Sequence, residues 1–160
     1  TLHAVTPDGY VLAIDRLVRR RTRRVAIMLH GVFDSAFAWV ASGPSSLAFR
    51  AYDAGFDVWL GNFRGGQASM GHVRGSALAP HEYWDFTLDD HATHDVRALV
   101  DRMHAVKAAE LGAPLDADGH CATLDVALLS HSMGGAATIM FLVRSGCDGR
   151  APGVSRARLL

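Results

Sequence analysis

The feature that most constrains the fold is an abrupt change of pattern near residue 130. Leu124 to Ser130 is a short apolar segment typical of a buried β-strand, and Ala136 to Val143 has the composition of a buried helix, apolar on nearly all sides. The intervening residues, His131-Ser132-Met133-Gly134-Gly135, are two polar residues, a methionine and two glycines. We therefore predict a strand, a sharp turn and a helix in immediate succession, with Ser132 at the start of the helix.

Further strands and helices are predicted upstream of this unit. Leu2 to Val5 and Tyr10 to Asp15 flank Thr6-Pro7-Asp8-Gly9, which is typical of a β-hairpin turn. Two more apolar runs, Val25 to Leu29 and Asp57 to Leu60, predict buried strands. Ser46 to Asp53 has helical spacing, and Gly55 is placed to terminate this helix. Strands that alternate with helices indicate an α/β protein with a mostly parallel sheet and helices on both faces. We find no internal repeat and predict one domain.

The clearest helix is predicted to begin at Thr87, whose hydroxyl group is suited to cap the free N–H groups of the first turn. Asp89 and Asp90 favour the positive end of the helix dipole. One face of this helix is apolar and should pack on the sheet: Ala92, Val96, Leu99, Val100 and Met103.

The segments between these elements are predicted to be loops. Residues 61 to 80 are rich in glycine and small residues and are interpreted as a long surface loop, and Gly112 to Thr123 as another. Arg19 to Arg24 is a charge run that we interpret as a solvated loop, with nucleic-acid binding or proteolytic processing as alternatives. After Val143 we predict no further strand, which leaves the outer edge of Leu124 to Ser130 unpaired and prone to association.

Composition excludes several classes of partner. Sixteen basic and sixteen acidic residues cancel, which argues against nucleic acid or an acidic polymer as a ligand. The longest apolar run, Ile139 to Val143, is far too short to span a membrane. Cys121 and Cys147 are too few for a disulfide framework, and one bridge between them stays an alternative to two free thiols.

Ser130-His131-Ser132-Met133-Gly134 is a candidate nucleophile motif. A serine on a sharp strand-to-helix turn presents its hydroxyl group above the sheet edge, and small residues are needed two positions away because the backbones crowd together there. Gly134 meets this requirement, whereas Ser130 stands where glycine is usual. The alternative is that the serine and glycines only cap a helix.

His30-Gly31-Val32-Phe33 directly follows the Val25 to Leu29 strand and is a candidate oxyanion-hole loop. Acyl transfer needs backbone N–H donors, one from the residue after the nucleophile and one from a loop after an early strand. Val32 and Met133 fit these two positions, with His30 and Gly31 as supporting residues.

His91, His94 and Asp95 have helical spacing and are candidate metal ligands on one helix face. The spacing matches no specific metal motif, and the neighbouring Asp90 and Arg97 indicate a solvated helix surface instead. We therefore predict no metal and no cofactor.

Several long blocks of the sequence, in one order, resemble the acid lipase family that includes gastric and lysosomal acid lipases. They are Thr6-Pro7-Asp8-Gly9-Tyr10-Val11-Leu12, Leu29-His30-Gly31-Val32, Ser46-Leu47-Ala48-Phe49, Asp53 through Gly65, and Tyr83-Trp84-Asp85-Phe86-Thr87-Leu88-Asp89. Met133 stands where this family typically has glutamine, and Pro114 to Thr123 has no counterpart in it.

The resemblance implies the α/β-hydrolase fold, with Ser132 as the nucleophile in the hydrolysis of neutral-lipid esters such as acylglycerols or sterol esters at a lipid–water interface. It also implies a lysosomal or secreted location and no cofactor. The family places its triad aspartate and histidine beyond Leu160, together with a cap region. Residues 1 to 160 are therefore expected to be the N-terminal part of the domain, through the helix after the nucleophile.

The residues after Ser132 agree with that expectation. They include no histidine and, as acidic residues, only Asp148, while His131 adjoins the serine on a turn expected to direct its side chain elsewhere. Residues 1 to 160 alone should therefore be inactive. A non-catalytic α/β-hydrolase-like binding protein and a truncated inactive product are the alternatives.

Overall fold

The computed structural model describes residues 1–148 and 152–160. In these residues seven strands form one sheet: β1 (Leu2–Val5), β2 (Tyr10–Leu17), β3 (Arg24–Leu29), β4 (Asp57–Gly61), β5 (Gly71–His72), β6 (Asp125–Ser130) and β7 (Arg156–Leu159). The strand order is β1-β2-β4-β3-β6-β7, with β5 paired to β2. The central pairs β4-β3, β3-β6 and β6-β7 are parallel, whereas β1 and β2 are antiparallel to their neighbours.

The helices are α1 (Leu47–Asp53), α2 (Pro80–Tyr83), α3 (Leu88–Asp90), α4 (Arg97–Leu111) and α5 (Met133–Cys147). A π-helical segment, His91–Val96, joins α3 to α4 without a break. Short 3-10 turns occupy Ala36–Trp39, Gly43–Ser45, Gln67–Ser69 and Gly75–Ala77.

Strand β3 shows why both faces of the sheet are covered. Its residues alternate between two clusters, with Val25, Ile27 and Leu29 on the side of α4 and α5, and Ala26 and Met28 on the side of α1. Since successive strand residues point to opposite faces, an apolar run without polar interruptions is buried on both. The predicted α/β architecture, with a mostly parallel sheet and helices on both faces, is confirmed.

The predicted hairpin, strands and helices are present, with ends displaced by a few residues. Thr6 closes the hairpin turn, since its backbone N–H donates to the Tyr10 carbonyl oxygen and its hydroxyl group accepts from the Tyr10 N–H. The predicted packing face of the helix is fully buried: Ala92, Val96, Leu99, Val100 and Met103.

The interpretation of residues 61 to 80 as a surface loop was wrong for its first part. Asn62, Phe63, Arg64 and Ser69 are buried. The Ser69 hydroxyl group donates to the Asn62 carbonyl oxygen at 3.0 Å and accepts from the Ala13 N–H at 2.9 Å, so this segment satisfies backbone groups along β2 and β4. Asn62 and Ser69 are polar and nevertheless buried, because their side chains hydrogen-bond to backbone groups.

The expectation that no strand follows Val143 was also wrong. Strand β7 pairs in parallel with β6, with Leu128 opposite Ala157, and the Ser155 N–H donates to the Val126 carbonyl oxygen at 2.8 Å. An ion pair between Arg156 and Asp125, at 2.6 Å, fixes the start of this pairing. The outer edge of β6 is therefore covered, and all four residues of β7 are exposed.

Helix α5 is buried on one side only, which corrects the prediction that it is buried all round. Ala137, Thr138 and Phe141 are buried on the side that faces the sheet and the π-helical segment, whereas Ile139 is 48% and Val143 60% exposed. A helix laid on one face of a sheet buries one stripe, and the described residues put no second layer over the other stripe.

Three other sequence features have a defined place. Lys107 is fully buried, and its Nζ donates to the carbonyl oxygens of Arg19 and Arg20. It thereby fixes the backbone at the start of the Arg19 to Arg24 charge run. Cys121 is buried and Cys147 exposed, and neither forms a disulfide. Among the described residues, no helix is both long and apolar enough to cross a membrane.

Candidate active site

Ser132 occupies the turn between β6 and α5, as the sequence predicts. Its backbone has φ +52° and ψ −120°, a strained conformation for a residue with a side chain. The His131 N–H donates to the Leu29 carbonyl oxygen at 3.1 Å, and the Ala136 N–H donates to the Ser132 carbonyl oxygen at 3.1 Å. The turn is thus held from both β3 and α5, and the Ser132 side chain is exposed at the end of the sheet.

Gly134 is the residue of this turn that leaves no room for a side chain. A Cβ atom at position 134 would lie 2.6 Å from the carbonyl oxygen of His30 and 2.9 Å from that of Leu29, well inside van der Waals contact with backbone. At Gly135 the same atom would meet the Leu159 side chain at 3.7 Å, an ordinary contact. The close approach of α5 to the end of β3 therefore requires glycine at 134 alone.

Ser130 stands where a small residue is needed, and its hydroxyl group has a partner. Its Oγ lies 2.7 Å from Oγ1 of Thr138 on α5, and both residues are fully buried. A buried hydroxyl group without a partner is unfavourable, so the substitution of serine for glycine is accommodated by the threonine one helical turn into α5.

The second candidate element adjoins Ser132. A Cβ atom at Gly31 would lie 3.1 Å from Cβ of Ser132 and 3.1 Å from Nδ1 of His131. The backbone that follows β3 therefore runs beside the serine, and the absence of a side chain at Gly31 permits this approach. The His131 ring occupies the surface over Gly31.

Val32 and Met133 line one cavity of about 230 Å³, together with His30, Gly31, Phe63 and His91. In the described part of the chain, the backbone N–H groups of Val32 and Met133 donate to no protein acceptor. Unpaired N–H groups beside a cavity are the donors that an oxyanion hole requires. Phe33, next to Val32, has φ +59° and is fully exposed, so the loop turns sharply at the rim.

His30 is a positioning residue, since both of its ring nitrogens bond to backbone. Nε2 accepts from the Phe63 N–H at 3.3 Å, which leaves the proton on Nδ1 to donate to the Gly31 carbonyl oxygen at 2.8 Å. Burial lowers the pKa of His30 below 6.5. The neutral ring therefore ties the Gly31 loop to the start of the segment after β4.

The three candidate metal ligands, His91, His94 and Asp95, do not converge on one point. His91 and Asp95 are buried and bond to each other at 2.9 Å, which corrects the interpretation of this face as solvated. His94 points elsewhere, with Nε2 3.9 Å from Asp90, and together with Asp8 these two form a loose group of three within 4.8 Å. Both oxygens of Asp8 already accept from Arg64.

Sequence reasoning missed the ion-pair network below the cavity. Arg64 is buried between Asp8 and Asp95, at 2.6 and 2.7 Å, and its guanidinium lies 3.9 Å from the centre of the Tyr10 ring. A charged residue inside a glycine-rich segment is a weak signal for burial. The sequence shows only an arginine before two glycines, and an aspartate about thirty residues later in a helix. Their pairing becomes apparent only in the folded structure.

Comparison with known proteins gives a consistent result. Residues 2–43 match the model described as the partial alpha/beta-hydrolase lipase region. A tear acid lipase-like protein from Mesocricetus auratus is 38% identical over 107 residues, covering 61% of this chain and 26% of that protein. Human Lipase member K is 42% identical over 103 residues, covering 59% of this chain and 26% of that protein. The chain thus spans about a quarter of the length of these curated relatives.

Among solved structures, a putative aryl esterase from Burkholderia cenocepacia superimposes with a TM-score of 0.56 at 16% identity, covering 99% of this chain and 45% of that one. At this identity the likeness concerns the fold. The resemblance to acid lipases is confirmed by the sequence matches. The chain is similar in sequence to the N-terminal part of the acid lipases, and its fold is the N-terminal portion of the α/β-hydrolase fold.

Proposed function

We propose that this chain carries the nucleophile of a serine ester hydrolase and that Ser132 is the attacking group. The observation that carries the proposal is the strained Ser132 turn beside Gly31, with the unpaired N–H groups of Val32 and Met133 at the same cavity. A helix-capping serine needs neither the positive φ nor an adjacent pair of free donors. The similarity to lipases in the matched region supports the same chemistry.

In this mechanism Oγ of Ser132 attacks the ester carbonyl carbon and the alcohol leaves, which gives an acyl-serine that water then hydrolyses. The N–H groups of Val32 and Met133 hold the oxyanion of each tetrahedral intermediate. The serine proton passes to a histidine that an aspartate orients. By resemblance to the acid lipases, we place both of these residues further along the protein than Leu160.

We further propose neutral-lipid esters as the substrates. The cavity wall includes Phe63, Trp84 and Phe86, and Val32 and Phe33 are exposed at its rim. Such a surface suits an acyl chain presented at a lipid–water interface. The names of the relatives, an acid lipase-like protein and a lipase, support this class, and a lysosomal or secreted location belongs to the same proposal.

The test is active-site labelling of the whole protein that contains this chain. A fluorophosphonate probe should label it, and Ser132→Ala should abolish labelling. Ser45→Ala, at an exposed serine remote from the cavity, is the matched control and should label fully. Undiminished labelling of the Ser132→Ala variant would refute the assignment. Lipid binding without any labelling would favour the non-catalytic binding protein.

Residues 1 to 160 by themselves are proposed to be inactive, as the N-terminal portion of the hydrolase domain. No histidine follows Ser132 in this sequence to accept its proton. The 160-residue chain should therefore hydrolyse a short-chain nitrophenyl ester no faster than its Ser132→Ala variant. Serine-dependent turnover by this chain would contradict the proposal.

A further inference from the structure

His91 is a buried residue of the cavity wall that the proposed mechanism does not use. It lies in the π-helical segment between α3 and α4 and lines the same cavity as Val32 and Met133. Its ring packs edge-on against Phe63 and Phe86, with ring centres 5.1 and 5.4 Å away. π-helical segments are rare and occur frequently at functional sites. The ring is thus held rigidly at the cavity.

The contacts of Asp95 determine where the His91 proton lies. Oδ2 of Asp95 accepts hydrogen bonds from Nδ1 of His91 at 2.9 Å and from the backbone N–H of Arg64 at 3.1 Å. Oδ1 of Asp95 accepts from the guanidinium group of Arg64. A carboxylate paired with arginine only accepts, so Nδ1 of His91 must carry the hydrogen. In the neutral ring Nε2 therefore presents a lone pair.

Nε2 of His91 makes no hydrogen bond among the residues that the structure describes. The other buried polar side chains of the wall have partners: both ring nitrogens of His30 bond to backbone, and Arg64 forms ion pairs with Asp8 and Asp95. Of the other lining residues, Phe63 is buried and Phe86 half-buried, while the carboxylate of Asp34 belongs to the exposed rim. An unpaired acceptor on a buried side chain of the wall is suited to receive a hydroxyl donor from a bound molecule.

We propose that Nε2 of His91 accepts a hydrogen bond from a free hydroxyl group of the substrate, so that the cavity selects esters that carry a hydroxyl group beside the ester, such as partial acylglycerols. The proposal rests on the proposed function in taking this cavity as the ester site. A site built around a substrate hydroxyl discriminates against the analogue that lacks it, because the acceptor is then buried unpaired.

The test uses binding, which needs no turnover and is therefore independent of whether Ser132 is a nucleophile. The probes are an octyl glycerol ether, with two free hydroxyl groups, and its di-O-methyl derivative, both titrated into the 160-residue chain in the same buffer. We expect the glycerol ether to bind about tenfold more tightly, the range of one buried hydrogen bond. In ¹⁵N spectra the His91 Nε2 signal should be that of an unprotonated nitrogen and should shift on binding.

Two variants separate hydrogen bonding from packing. His91→Phe keeps an aromatic ring but removes the acceptor, and Asp95 retains its bonds to Arg64. The two probes should therefore bind this variant about equally. His91→Gln keeps an acceptor oxygen and should retain part of the preference. Equal binding of the two probes to the original chain, an unchanged preference in His91→Phe, or a protonated Nε2 would each overturn the proposal. If the fluorophosphonate probe did not label Ser132 in the unsubstituted whole protein, the proposed function would be overturned. The measured preference for the glycerol ether would still stand.

Discussion

The hydroxyl groups of Ser130 and Thr138 lie 2.7 Å apart, both fully buried, and link the last residue of β6 to the second turn of α5. Thr138→Val should destabilise the chain by about 1–3 kcal/mol, because the Ser130 hydroxyl group is then buried without a partner. The double variant Ser130→Ala, Thr138→Val removes both polar groups and should cost less than Thr138→Val alone. Urea unfolding of four chains, namely the original, Ser130→Ala, Thr138→Val and the double variant, measures this, and strictly additive effects would show that the two hydroxyl groups are not coupled.

Gly134 and Gly135 provide a matched pair of substitutions. Gly134→Ala places a methyl group 2.6 Å from the His30 carbonyl oxygen and should cost about 1–3 kcal/mol of stability and displace the Ser132 turn. Gly135→Ala meets only an ordinary contact and should leave stability unchanged or raise it by up to about 1 kcal/mol, the difference in helix propensity. Thermal unfolding together with fluorophosphonate labelling of the whole protein checks both. Equal effects of the two alanines would refute the close approach of α5 to β3.

The proposed oxyanion donors, at Val32 and Met133, are backbone groups, so we expect their side chains to be replaceable. In the whole protein, Met133→Gln should keep kcat/KM within about tenfold, or roughly 1.4 kcal/mol. Val32→Pro removes an N–H donor and should lower kcat by about 100-fold to 1000-fold. Val32→Ala is the control for the side chain and should remain near the original rate. Small and equal losses from Val32→Pro and Met133→Gln would place the oxyanion hole elsewhere.

His104 should make stability fall as the pH is lowered. Its Nδ1 accepts from the Cys121 N–H at 3.1 Å and its Nε2 donates to the Gly153 carbonyl oxygen at 2.7 Å, and burial lowers its pKa below 6.5. Between that lowered value and 6.5 the unfolded chain binds a proton that the folded chain does not. The stabilising contribution is therefore complete above pH 6.5 and is lost progressively below it.

His104→Gln tests this dependence, because glutamine has an acceptor and a donor but does not titrate in this range. Urea unfolding at several pH values from about 8 to 5 should show a shallower loss of stability in the variant than in the original chain. An identical slope in both chains would assign the pH dependence to other groups.

The sequence determined the parts of the fold that depend on near neighbours. Val25 to Leu29 is apolar at every position, and because successive strand residues point to opposite faces, burial on both faces of the sheet follows. The strand, turn and helix around Ser132 are likewise local, since glycine spacing and the change of hydrophobic period are visible within about twenty residues. For this reason the strand, turn and helix around Ser132 and the strand that precedes Gly31 could be predicted from the sequence, whereas the close approach of Gly31 to Ser132 appears only in the structure.

What the tertiary structure decided depends on contacts between distant segments. His91, His94 and Asp95 share a face in a regular α-helix, but the π-helical segment widens the turn, so that His91 and Asp95 are buried while His94 faces Asp90. Arg64 is buried because Asp8 and Asp95, from opposite parts of the chain, neutralise it. Strand β7 forms because β6 offers it an open edge. These contacts join residues that are far apart in the sequence and close together in the folded chain, so no local pattern of residues predicts them.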